Sequence, residues 1–282
     1  MMMIMALEIL EFGFMQRALI AGVAVAITTS VIGLFLVLRK NSLFGDALSH
    51  VAFGGIALGL AVNIYPLWTG LGLSIAGALG ITRLRQSARI PADATVAILL
   101  SSGLALGILL VSASGGFTLD LFSFLFGSIL LVSVNDTLAI LAMAGVILAT
   151  VVVLYKQLMY ITFDEEQARV SGLRISELNY LFVVLASVAA VVSMRLVGIL
   201  LVSALIVIPN VTALLFGKGF KKTALISVAV SIFSVITGIA VSYMFNLAPA
   251  GTIVLVSAGT FVAALGVRHL PGKKLQVGRH VK

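Results

Sequence analysis

No cysteine occurs among the 282 residues, so disulfides and thiolate ligands are both excluded, and any metal must be held by oxygen and nitrogen. Charge is nearly as scarce. Asp, Glu, Lys and Arg together make up 10% of the chain, against 61% hydrophobic residues and a mean hydropathy of +1.23. That balance lies far outside soluble domains and predicts an all-α, polytopic membrane bundle. No polar stretch is long enough to bury a core of its own, so 1–282 reads as one transmembrane domain with a connecting loop at about 155–179. A Gly-x-x-x-x-Gly-Lys-Ser/Thr phosphate loop is missing, which excludes ATP hydrolysis by this chain, and so is a His-Glu-x-x-His pair of the kind intramembrane metalloproteases need. The first base is Arg17, after Glu8 and Glu11, unlike the basic start of a signal peptide.

What is present is a series of apolar runs near the roughly 20 residues that a bilayer requires. Nine spans are expected, at about 18–38, 47–62, 67–82, 94–112, 137–154, 181–194, 196–216, 223–245 and 251–267. The piece at 119–132, with Asp120 near its start and Gly127 within it, is short and fits a re-entrant or interfacial helix. The net charge of +8 suggests nucleic acid at first sight, but the bases sit in short clusters between apolar runs, as the positive-inside rule expects. With the N-terminus outside, nine crossings place every Lys and Arg except Arg17 and Arg195 on the cytoplasmic side, together with the C-terminus. The expected location is the plasma membrane, with no nucleic-acid partner.

Against that background one pair stands out. Asp46 and His50 lie four residues apart between two apolar runs, a spacing that stacks both side chains on one helical face. Carboxylate oxygen and imidazole nitrogen suit divalent transition metals, and ionisable groups at membrane depth are costly unless something uses them. A satisfied core histidine is the plainer alternative. A second feature is the loop, where Thr162 or Asp164 can cap a short helix whose first turn, Asp164, Glu165 and Glu166, is acidic, and Gly172 can end it. Such a helix lying under the bundle is a docking surface; a solvated connection that touches nothing is the alternative.

Three motifs then occur in order. Val37-Leu38-Arg39-Lys40 precedes Ser42-Leu43-Phe44-Gly45-Asp46-Ala47-Leu48-Ser49-His50; Phe163-Asp164-Glu165-Glu166-Gln167-Ala168-Arg169-Val170-Ser171-Gly172 follows; Val197-Gly198-Ile199-Leu200-Leu201-Val202-Ser203-Ala204-Leu205-Ile206-Val207-Ile208-Pro209 closes the set. In these the chain resembles the permease subunits of the ABC importers for zinc, manganese and iron(II). The resemblance implies a type II importer architecture, a second permease protomer across a central pathway, two ATPase subunits below and an extracytoplasmic metal-binding protein above. It implies a metal role for Asp46 and His50. It also implies an ATPase-coupling helix carrying Asp164, Glu165, Glu166, Ala168, Arg169 and Gly172. The metal is then a transported ion, zinc, manganese or iron, and no permanent cofactor is expected. The alternatives are a cobalamin or siderophore permease of the same architecture and a stand-alone, proton-coupled metal carrier, to which a docking helix would be of no use.

Other polar residues admit milder readings. Ser49 either supports the metal pair or bonds back to its own turn. Asn210 either lines the pathway or satisfies backbone groups freed near Pro209. Asp93 and Asp136 fit helix starts, Asp120 lies near the outer mouth, and Arg195 faces a binding protein or a lipid headgroup. His269 and His280 belong with the basic tail.

Overall fold

The computed structural model describes residues 12–88, 90–114, 116, 119–128 and 132–269. Glu8, Glu11, Arg89, the Asp120 and His269 side chains and the tail bases beyond 269 lie outside that description. The described residues form helices α1 (Gly13–Leu38), α2 (Phe44–Ala61), α3 (Pro66–Ala88), α4 (Ala92–Ala113), α5 (Leu119–Phe126), α6 (Val134–Val153), α7 (Tyr155–Phe163), α8 (Glu165–Val170) and α9 (Ile175–Val197). A 3-10 turn at Ile199–Leu201 leads into α10 (Val202–Leu214), and α11 (Phe220–Phe245) and α12 (Pro249–His269) complete the bundle. Helix is what an apolar chain must adopt in lipid, because each helix satisfies its own backbone groups where no water can.

Eight of these helices are long and apolar enough to cross a membrane, and a shorter apolar piece, Ile199–Leu214, stands where the seventh of the nine expected spans was placed. The sixth expected span is longer than the sequence suggests, because the helix takes in polar residues from Ile175 onward. The seventh is cut short by Gly198, which adopts φ +76. At 1.5 Å per residue, the 13 residues of α10 reach only about 20 Å of a hydrocarbon core roughly 30 Å thick. Isoleucine and valine on all sides tie it to its neighbours, with Val202, Leu205 and Ile206 fully buried.

The expected re-entrant piece at 119–132 contains the short helix α5. Helices α2 and α4 run parallel: Gly103 packs on Val51 and Gly107 on Phe53. Both therefore finish at the same end of the bundle, and α6 begins there too, since Tyr65, just beyond α2, bonds Asp136 in the first turn of α6. Helix α4 thus ends at the same end of the bundle at which α6 begins. Gly127, at φ +73, lies against the junction after α9; a Cβ on it would come within 2.3 Å of the Leu196 carbonyl oxygen. Gly198 is its counterpart, where an added Cβ would meet the Leu125 carbonyl oxygen at 2.4 Å. Both turns need a residue without a side chain, for conformation and for space.

Elsewhere small residues bring helix backbones together. A Cβ added at Gly55 would sit 2.5 Å from the Thr69 carbonyl oxygen of α3, and one at Gly33 would sit 2.3 Å from the Ile206 carbonyl oxygen of α10. Asn210 resolves in favour of satisfaction. Its amide donates to the Ile206 carbonyl at 2.7 Å and its oxygen accepts from the Ser227 hydroxyl at 2.7 Å, joining α10 to α11.

The end where Arg17 and Arg195 meet holds a charged cluster that the sequence reading missed. Arg195 does not face outward. Its guanidinium bonds Asp136 at 3.0 and 3.2 Å and lies over the Phe124 ring at 4.6 Å, leaving the side chain 16% exposed and Asp136 2% exposed. Asp136 is more than a helix start: it closes a capping box with Ser133, takes the Tyr65 hydroxyl and neutralises Arg195. Burial, then the bond to Asp136, pushes the Tyr65 phenol up to about 12. Arg17 joins α1 to the same end through the Val132 carbonyl at 3.1 Å. Asp93, by contrast, is exposed in the first turn of α4, where its charge complements the helix dipole.

Asp136→Asn should destabilise the chain by about 3–5 kcal/mol, because it strips a buried guanidinium of its carboxylate, whereas Asp136→Asn combined with Arg195→Met should recover most of that loss. Thermal unfolding of the purified protein in detergent decides it, and equal losses in the single and double variants would show that the ion pair is not what matters there.

Candidate functional site

Asp46 sits in the first turn of α2 and His50 one turn further on. The four-residue spacing holds: His50 Nε2 is 4.0 Å from Asp46 Oδ1, with the side chains 13% and 22% exposed. At that distance they are neighbours without a hydrogen bond. His50 Nδ1 is buried and has no hydrogen-bond partner, an unusual state for an imidazole nitrogen in a packed interior. Ser49 turns away from the pair, donating to the Asp46 carbonyl at 2.7 Å, with the Ile199 carbonyl at 3.4 Å. This brings α2 against the 3-10 turn after α9. The pair therefore offers two metal-type donors on one face, and among the described residues no group of three or more His, Asp or Glu comes together.

The loop segment forms the short capped helix that its sequence suggests. Asp164, not Thr162, is the cap, its Oδ1 accepting from the Gln167 amide at 2.9 Å. Thr162 instead donates to the Leu158 carbonyl at 2.6 Å. Glu165 and Glu166 occupy the first turn of α8, where negative charge is favoured, and Arg169 lies 4.0 Å from Glu165 on an exposed face. Gly172 takes φ +83 and ends the helix. Ala168 is wholly buried among Ile161, Ile175, Leu173 and Leu178, and this small cluster clamps α8 under the bundle. Phe163 and Val170, by contrast, are 63% and 90% exposed, an apolar surface on a polar segment.

Arg39 links the two regions, and sequence reasoning counted it only as a cytoplasmic base. It follows α1 and precedes the turn into α2. Its Nε donates to Thr162 Oγ1 at 3.0 Å, its Nη1 donates to Asn179 Oδ1 at 3.0 Å, and its guanidinium covers the Phe182 ring at 4.3 Å. Its Nη2 is buried without a partner. Burial lowers its pKa to about 10, against a raising influence from Glu165, so it stays charged at neutral pH. Arg39 and Glu165 both line a cavity of about 420 Å³ that also reaches Phe44, the first residue of α2, and Thr95 of α4. Neither Asp46 nor His50 lines that cavity. The available clue was position: a base at the exit of a long apolar helix, five residues ahead of the next helix, ends beside whatever packs under that exit.

A family model described as ABC 3 transport family matches residues 11–268. The manganese transport system membrane protein MntC of Listeria innocua is 35% identical over 256 residues, covering 91% of each chain. The manganese import system permease protein ScaB of Streptococcus gordonii is 33% identical over 254 residues, covering 90% of this chain and 91% of its own. Among solved structures, PsaBC from Streptococcus pneumoniae in complex with Fab superposes with a TM-score of 0.85 at 31% identity, covering 94% of this chain and 95% of that one.

Arg39→Leu should lower stability by roughly 1–3 kcal/mol, since two charge-assisted hydrogen bonds are lost while one buried charge is relieved. Hydrogen exchange should rise first across α7 and α8. Uniform exchange across the whole bundle would show that Arg39 does not hold that segment in place.

Proposed function

The chain belongs to the ABC 3 transport family, and on that footing we propose that it is the membrane permease subunit of an ATP-driven importer of divalent transition-metal ions, with manganese the first candidate cargo and zinc and iron(II) the others. The single observation that carries the reading beyond the family is the Asp46 and His50 pair, two unpaired metal-type donors on one face of α2 with a buried, partnerless imidazole nitrogen. Two copies of the chain facing each other would supply two carboxylates and two imidazoles, an all-oxygen-and-nitrogen set that suits Mn²⁺, Zn²⁺ or Fe²⁺ and discriminates poorly among them. Selectivity then rests with an extracytoplasmic binding protein that delivers the ion. Transport needs a site that is favourable to enter and weak enough to leave, and a set shared between two movable chains meets that need. The chain carries no phosphate loop, so hydrolysis belongs to a separate ATPase subunit.

The segment around α8 supports the coupling role. Asp164 caps the helix, Glu165 and Glu166 complement its dipole, Ala168 anchors it, Arg169 faces solvent and Gly172 ends it. The exposed Phe163 and Val170 are the apolar contacts an ATPase cleft would cover. The distribution of bases supports a plasma-membrane protein with α8 and the C-terminus in the cytoplasm and the N-terminus outside.

Asp46→Ala and His50→Ala, reconstituted in vesicles with the ATPase, ATP and loaded binding protein, should each cut Mn²⁺ uptake at least about tenfold while insertion and ATPase assembly persist. Folding should hold or improve, because each change removes an ionisable group from an apolar bundle. Uptake at the unsubstituted rate in both variants would return His50 to a core histidine.

Val170→Asp should weaken retention of the ATPase roughly tenfold to hundredfold, the effect of placing a charge in an apolar contact, without altering thermal unfolding of the permease alone. Co-purification measures it. Undiminished retention would remove α8 from the docking surface.

A further inference from the structure

A second groove, of about 370 Å³, shares no lining residue with the cavity beside Arg39 and includes neither Asp46 nor His50. Its walls are Leu34 of α1, Leu148, Val151 and Val152 of α6, and Ala224 of α11. All belong to the long apolar helices, and Val152 is 74% exposed, so the groove looks out of the bundle at membrane depth. Its lining changes abruptly at one end, where Tyr155, Phe220 and Lys221 close it. The Lys221 ammonium lies 5.9 Å from the centre of the Tyr155 ring. Lys156 follows Tyr155 in α7 and Lys222 follows Lys221 in α11, and both are exposed. Among the described residues, none of the three lysines forms an ion pair.

An apolar slot at membrane depth that ends at Lys221, with the exposed Lys156 and Lys222 next in sequence to its end residues, is complementary to a molecule with a long apolar chain and a negative head. We propose that this groove is a binding site for an anionic phospholipid, with one acyl chain against Leu34, Leu148, Val152 and Ala224 and the phosphate at Lys156, Lys221 and Lys222. The apolar wall alone discriminates little, because the surrounding lipid tails are as apolar as the groove. Selection comes from the head: clustered lysines beside a membrane helix favour a net negative headgroup over a zwitterionic one. Tyr155 fits the boundary between the two, its ring on the apolar side and its hydroxyl toward the water.

The test uses the full chain purified in mild detergent with equal amounts of phosphatidylglycerol and phosphatidylcholine, and native mass spectrometry of the lipid that stays bound. Phosphatidylglycerol should be retained at least about tenfold over phosphatidylcholine. Replacing all three lysines by glutamine, exposed positions where folding is not at stake, should bring the two lipids level. Ala224→Phe, or Val152→Trp if the first fails to fold, should fill the slot and abolish retention of both. Equal retention of the two lipids by the unsubstituted chain overturns the proposal, and so does phosphatidylglycerol that survives the filled slot, since it would then bind surface lysines alone. The absence of native cysteine gives a further check: a Val152→Cys variant that forms disulfide-linked dimers in the membrane would show that a second copy covers the groove, and the lipid assignment would fall.

Discussion

A charge set among apolar helices must be neutralised, hydrogen-bonded or put to use, and the arrangement of this bundle follows from how each charge meets that demand. Asp136 and Arg195 meet it by pairing, with Tyr65 and Ser133 filling the remaining carboxylate positions. Arg39 meets it with neutral acceptors, Thr162 and Asn179, and with the face of Phe182. Asp46 and His50 lie side by side 4.0 Å apart without a hydrogen bond, mostly buried, and theirs is the weakest of the three arrangements. The three arrangements also occupy different places. The paired charges tie the α2–α3 connection, α6 and α9 at one end, Arg39 fastens the turn between α1 and α2 to α7 and α9 at the other, and the unbonded pair stands on α2 beside the 3-10 turn.

Between those fixed ends the helices are held by close approach. Apolar burial gives little preference for protein over lipid, so contacts depend on small residues that admit a neighbour's backbone, as Gly55 admits Thr69 and Gly33 admits Ile206. Helix α2, which carries the metal-type pair, is the most enclosed of all by this means, with glycines of its own against α3 and glycines of α4 against it. An aromatic group extends the same packing toward α8. Phe35 lies 6.1 Å from Phe182 and 5.2 Å from Phe220, and Phe220 lies 6.3 Å from Phe163, so rings from α1, α9, α11 and α7 form one continuous set.

The sequence made the helical class and most spans legible, because hydropathy and base clustering report directly on what lipid tolerates. It made the Asp46 and His50 spacing legible for the same reason: an i,i+4 pair on one helix is a local matter. It could not reveal Arg195 paired with Asp136, 59 residues away, since a buried ion pair between two distant helices leaves no local pattern. Arg39 was hidden likewise, its partners lying 123 and 140 residues on. The overestimate of the seventh span has a different origin. From 199 to 208 only Ser203 and Ala204 interrupt the run of valine, leucine and isoleucine, and composition alone does not register that Gly198 takes a positive φ and resets the helix.

Gly127 and Gly198 interlock, each occupying the space that a side chain on the other's segment would take from the backbone. Their fates under substitution are therefore not independent. The first replacement must force the segments around Phe126 and Val197 apart, and once they are apart the second meets a gap already opened, so the two changes together cost less than the sum of each alone. The turn after α5 and the turn before α10 are thus coupled in energy, although 71 positions of chain separate them.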